Sequence, residues 1–196
     1  ERWRAAANWC RCVGTWGGCL QRFNPNNTAI RLLRHSPGKP NGLSHGDVRS
    51  ILELADGRIL VGSAGNGIDI LVRQRGVTGG YRRAGGDLPP LPDASVLSLA
   101  QTADGAIWAG TQQAGVQRLS PGAGQWQGFG VAQGLPDVLV RRLLASRDGA
   151  LWAGTSIGPA RWNAATQRFD AFSALDGRAV QSYVTALAED AKGRIW

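Results

Sequence analysis

Apolar and polar positions alternate over short stretches that break at glycine, aspartate and proline, the pattern of half-buried β-strands without a sustained helical period. Asp104-Gly105-Ala106-Ile107-Trp108-Ala109-Gly110-Thr111 shows the unit, a turn pair followed by a short apolar strand. It returns 44 residues later as Asp148-Gly149-Ala150-Leu151-Trp152-Ala153-Gly154-Thr155. A looser copy, Asp56-Gly57-Arg58-Ile59-Leu60-Val61-Gly62-Ser63, stands 48 residues earlier, and another begins at Gly193-Arg194-Ile195-Trp196. Val13-Gly14-Thr15 keeps the tail of one more. Val48, Val96, Val140 and Val184 each precede the turn glycine by nine residues, and Ile51, Leu99, Leu143 or Leu187 follows each valine by three. Two motifs held at one offset over four copies define a repeat.

After the Gly-Thr step comes a basic-aromatic or basic-aliphatic pair, Arg22-Phe23, Arg118-Leu119 or Arg161-Trp162, with Ile70-Leu71 in the looser copy. A fourth segment carries Tyr81, Trp126 with Phe129, or Phe169 with Phe172. Each repeat therefore predicts four short strands, one propeller blade. The predicted fold is all-β, an incomplete β-propeller: three full four-stranded blades at about 48–84, 95–130 and 139–173, with partial blades at 1–35 and 184–196. Such an arc does not close by itself, so it is expected to leave blade faces open and to self-associate. The Asp-Gly pair is expected to supply the positive φ angles of a tight hairpin. Glycine weakens a strand interior, so its recurrence at Gly62, Gly110 and Gly154 predicts close approach of a neighbouring blade. The tryptophans at fixed strand positions read as core rather than as a sugar-stacking platform.

Composition fits this picture: 43% hydrophobic residues with 28 glycines and 8 tryptophans make a packed, turn-rich chain. No apolar run is long enough for a membrane helix, so any membrane contact is expected through segments outside this chain. The net charge of +8 is almost all arginine, spread through every repeat without an interleaved aromatic run, and predicts no nucleic-acid partner. Three cysteines, Cys10, Cys12 and Cys19, make no disulfide framework and no zinc set. Catalytic signatures are absent: there is no nucleophile elbow and no phosphate loop, and Asp56, Asp104 and Asp148 read as hairpin residues. No catalytic, metal or cofactor site is predicted.

The repeat resembles the two-component regulator propeller family, carried by Val13-Gly14-Thr15-Trp16-Gly17-Gly18-Cys19-Leu20-Gln21-Arg22-Phe23-Asn24-Pro25, by Ala103 to Thr111, and by the linker Gly42-Leu43-Ser44-His45-Gly46-Asp47-Val48. Leu60 to Ser63 departs from that pattern by lacking its tryptophan and threonine, and Gly158-Pro159 replaces the usual Gly-Gly turn. The resemblance implies a periplasmic ligand-sensing propeller of a membrane-bound bacterial signalling protein, a two-component sensor histidine kinase or a diguanylate cyclase, with the parent a possible homodimer. A carbohydrate-active propeller enzyme and a purely structural propeller are the alternatives.

In such a blade the turn between the second and third strands and the connection into the next blade emerge on one face, where propeller ligands tend to meet. That face would present Trp16, Asn66, Gln112, Gln113 and Ser156 from turns, and His45 and Asp47 from a connection. These amides, a hydroxyl and an aromatic suit a carbohydrate or other polar extracellular ligand, or a partner domain; the remaining blades of the same chain are the other expected partner. Turn residues are polar in any case, and a structural role for His45 and Asp47 stands beside the ligand role.

Overall fold

The computed structural model describes residues 11–14, 20–23, 30–35, 42–72, 75–83, 88–172, 174–175, 178–179 and 182–196. Three four-stranded antiparallel sheets follow one another along the chain, each a meander of consecutive strands. The first contains β4 (Val48–Glu53), β5 (Ile59–Ser63), β6 (Ile68–Val72) and β7 (Gly76–Tyr81). The second contains β8 (Val96–Gln101), β9 (Ile107–Thr111), β10 (Val116–Leu119) and β11 (Gln127–Phe129), and the third β12 (Val140–Ala145), β13 (Leu151–Thr155), β14 (Pro159–Asn163) and β15 (Arg168–Ala171). Before them lies a three-stranded sheet of β1 (Arg11–Gly14), β2 (Leu20–Phe23) and β3 (Ile30–Leu33), and after them the pair β16 (Ala174–Leu175) and β17 (Arg178–Ala179). The architecture is an all-β arc of propeller sheets. The leading strands β4, β8 and β12 lie against one another, which places them innermost.

The hairpin between the first two strands of each sheet differs in one respect from expectation. Only the glycine takes positive φ, at 82° in Gly57, 79° in Gly105 and 85° in Gly149, while the preceding aspartates do not. The Gly57 N–H donates to the Leu54 carbonyl at 2.9 Å and the Leu54 N–H to the Arg58 carbonyl at 2.8 Å. This is a type I turn followed by a left-handed glycine, not a two-residue primed turn. The aspartate works through its side chain: Asp56, Asp104 and Asp148 accept from the N–H two residues on, at 3.0, 3.1 and 3.1 Å.

The strand glycines do what their recurrence implied. A Cβ placed on Gly62 would lie 2.9 Å from Val96 Cγ1, and one on Gly110 the same distance from Val140 Cγ1. On Gly154 it would lie 2.8 Å from the Cβ of Val184. The two sequence motifs therefore meet: the glycine of one sheet receives the valine that opens the next. Trp108, 1% exposed, packs on the same seam, its ring 5.9 Å from Phe129 and 5.2 Å from Trp162 of the following sheet. Its assignment to the core holds.

Arginines staple the hairpins from outside. Arg118, on β10, lies 5.1 Å over the Trp108 ring and pairs with Asp104 at 2.9 Å, and Arg161 repeats this over Trp152 with Asp148 at 3.5 Å. Arg194 lies 5.2 Å over Trp196 and pairs with Asp190 at 2.7 Å. These contacts lower the carboxyl pKa values. For Asp56 the main cause is the Arg58 side chain, and for Asp148 the Ser146 hydroxyl followed by the Ala150 N–H. Partial burial opposes ionisation of Asp104, but hydrogen bonds from Thr102, the Ala106 N–H and Arg118 outweigh it. Asp190 falls to about 2, chiefly through the Arg194 N–H.

Candidate ligand-binding face and axial cavity

Turns between second and third strands are tied to the connections that open the sheets, so both occupy one face. The Ala64 N–H donates to the Asp47 carbonyl at 3.0 Å, Gln112 N–H to Ser95 at 3.1 Å, and Ser156 N–H to Leu139 at 3.2 Å. Buried hydroxyls close each turn from beneath, Ser63 to the Gly67 carbonyl, Thr111 to Gly115 and Thr155 to Gly158. The threonine of the repeat is thus a turn fastener.

The sequence-derived candidates lie along this face. His45 accepts the Asp47 N–H through Nδ1 at 3.1 Å, and its ring rests against Gly65. Asp47 pairs with Arg49 at 2.7 Å. Asn66 takes the Ser63 hydroxyl oxygen on its N–H at 3.1 Å, and its carbonyl accepts from Arg82 at 3.1 Å. Gln112 accepts from the Ser95 hydroxyl at 2.9 Å, and the Gln113 N–H donates to Asp93 at 2.6 Å. Ser156 donates to Asp137. Trp16 lies outside the described residues. Sequence reasoning passed over Asp93 and Asp137, which stand where His45 does, three residues before the valines Val96 and Val140; that fixed offset was the available signal. Most of these polar groups are spent on one another, holding turns and connections in place.

Of the sequence-derived candidates, Asp47 lines a cavity at the inner strands. Each inner strand breaks register just after its valine, between Val48 and Ser50, Val96 and Ser98, and Val140 and Arg142. A bulge bends its strand and re-aims a side chain. The three bulge residues, Arg49, Leu97 and Arg141, line one cavity of about 340 Å³ together with Asp47, Arg142 and Thr185. Thr185 again follows a repeat valine, so the cavity lies where the inner strands converge toward the propeller axis. The Arg141 guanidinium is held 5.2 Å over the Tyr183 ring, and Arg142 donates to the Arg141 carbonyl at 3.0 Å. Among the described residues no cluster of three or more His, Cys, Asp or Glu forms a metal site. None of their helices is long and apolar enough to cross a membrane.

Residues 90–113 match the family model described as two component regulator propeller. No curated protein matches the chain by sequence. Among solved structures, the extracellular domain of BT3049 from B. thetaiotaomicron, described as a hybrid two-component system, aligns with a TM-score of 0.80 at 22% identity over 95% of this chain and 24% of that one. The extracellular domain of BT4673 from the same organism, described as a one-component system, aligns at 0.75 and 18% identity over 95% of this chain and 26% of that one. Virginiamycin B lyase from Staphylococcus aureus aligns at 0.66 and 15% identity, over 92% of this chain and 56% of that one. This chain spans about a quarter of the first two, and the likeness to all three is one of fold. The matched segment covers the linker, first two strands and turn of the second sheet, so that stretch is similar to a two-component regulator propeller repeat, and the same strand and turn pattern recurs in register through the neighbouring sheets.

Proposed function

We propose that this chain is a segment of the periplasmic ligand-sensing propeller of a membrane-bound bacterial signal-transduction protein whose output module is a histidine kinase. The observation that carries the reading is the repeat match at residues 90–113, set within a sheet arc that overlays 95% of its length on an extracellular domain described as part of a hybrid two-component system. The turns and connections of this face are tied together by hydrogen bonds, and loops held on a scaffold are where binding residues concentrate. This arc itself is a scaffold and does no chemistry; its role is to present a polar ligand or partner domain with a preformed surface.

Two measurements test the reading. The coding sequence downstream should continue through further blades into a hydrophobic span and a kinase module, and a reading frame that stops after the ring would sink it. In a background with Cys10, Cys12 and Cys19 replaced by serine, a cysteine at exposed Ala123 should react with a membrane-impermeant maleimide in cells whose outer membrane alone has been permeabilised. Labelling only after lysis would place the propeller on the wrong side of the membrane.

A further inference from the structure

We propose that the axial cavity is an oxyanion site in which Arg49, Arg141 and Arg142 take a small ligand bearing a carboxylate, sulfate or phosphate group. This deepens the sensing reading, rests on it for its biological meaning, and names the chemistry of the ligand.

Three observations converge. First, three arginines and a single acid, Asp47, which pairs with Arg49, line the cavity, and it is large enough for a small molecule. Second, the arginines that fasten turns and strands in the three sheets are each matched to a carboxylate: Arg82 holds Asp69, Arg118 holds Asp104 and Arg161 holds Asp148. Arg141 and Arg142 have no ion-pair partner among the described residues. The Arg141 Nε is buried with no acceptor there, a donor whose desolvation is uncompensated by the protein. Third, the residues arrive by a repeated device, since two of the three arginines occupy bulge positions in inner strands of different sheets. A solvated surface arginine needs neither a bulge nor a neighbour of like charge. Guanidinium forks match the geometry of planar and tetrahedral oxyanions, and like charges crowded in a cavity are relieved by an anion. Arg142 is exposed at the mouth, whereas Arg141 is half-buried and fixed over Tyr183, so the first recruits and the second orients.

Calorimetric titration of the full protein with galacturonate, galactose 6-sulfate and galactose 6-phosphate, against neutral galactose, tests the site. At least one anionic sugar should bind, more weakly as salt rises, and which one binds identifies the oxyanion. Arg141→Gln and Arg142→Gln should each weaken it about tenfold or more, while Asp47→Asn should tighten it by removing the competing charge. Circular dichroism and the melting temperature establish folding. Should Arg141→Gln not fold, the exposed Arg142→Gln and Asp47→Asn carry the test. Equal affinity for galactose, unchanged binding in both arginine variants, or no binding of any anionic sugar would overturn the site. Binding without any change of output in cells would overturn the sensing role and leave the site standing. Output driven by galactose alone would do the reverse.

Discussion

The two seams between the three complete sheets are packed by different chemistry on the same backbone plan. Between the second and third sheets the seam is aromatic: Trp108, Phe129, Trp162 and Phe169 meet edge to face or tilted, with centroids 4.7 to 6.1 Å apart. Between the first and second it is largely aliphatic, with Leu60 where the tryptophan stands elsewhere and a single edge contact of Tyr81 on Trp126 at 5.2 Å. The first sheet also carries a buried ion pair in place of a neutral amide. Asp69, 1% exposed, occupies the register position of Gln117, faces Gly80 as Gln117 faces Gly128, and holds Arg82 and the Ser44 N–H. Losing the large ring and its stapling arginine, which is Ile70 here, shifts part of the fastening to Asp69 and Arg82. The hairpin keeps its own staple by taking Arg58 instead, 2.7 Å from Asp56. The lesson is that the Gly-Val contact and the turn geometry define the blade, while the filling between blades is exchangeable.

Substitutions can break this comparison. The largest effect is expected at the aromatic seam, where Trp108→Ala should cost about 3 to 5 kcal/mol and Leu60→Ala about 2 to 3 in denaturant unfolding. Equal losses would mean that the ring is not the organiser of its seam. Next, Asp69→Asn should cost about 3 kcal/mol because it leaves the Arg82 charge without its counterion. Gln117→Leu should lie within about 1 kcal/mol of neutral, since loss of the Nε2 bond to the Ala114 carbonyl is offset by removing a buried Oε1 that accepts no hydrogen bond among the described residues. The smallest effect concerns pH. The hairpin aspartates have folded pKa values below the ordinary 3.8, so their contribution is full above that value and is lost as pH falls toward about 2, the folded value of Asp190. Melting temperature should therefore be flat above pH 5 and decline below 4, and Asp104→Asn with Asp148→Asn should make that decline shallower.

Much of the fold was legible because it is local or periodic. The turn glycines, the four-strand repeat and the seam glycines each leave a mark at a constant offset, and the structure places Gly62, Gly110 and Gly154 against the next valine as that offset implied. The hairpin type was misread, because Asp-Gly is common to primed turns and to a type I turn with a left-handed glycine, and only the count of loop residues separates them. Arg118 and Arg161 were visible as a strand-marking step, but their reach back to Asp104 and Asp148 is a cross-strand contact that sequence offset does not announce. The cavity was the least legible. Arg49 and Arg141 are ordinary surface arginines in the linear chain and become neighbours only through curvature and bulges that two separate sheets impose together.

The Gly-Val contact also bears on how such a ring can change size. At the three described junctions a socket in the second strand of one repeat takes the peg of the next, so duplicating or deleting one whole repeat between them leaves the remaining junctions with matched pairs. Lineages can therefore gain or lose blades in single recombination events without inventing an interface. The positions just past the peg carry no part of that junction, and there Arg49, Leu97, Arg141 and Thr185 differ from blade to blade.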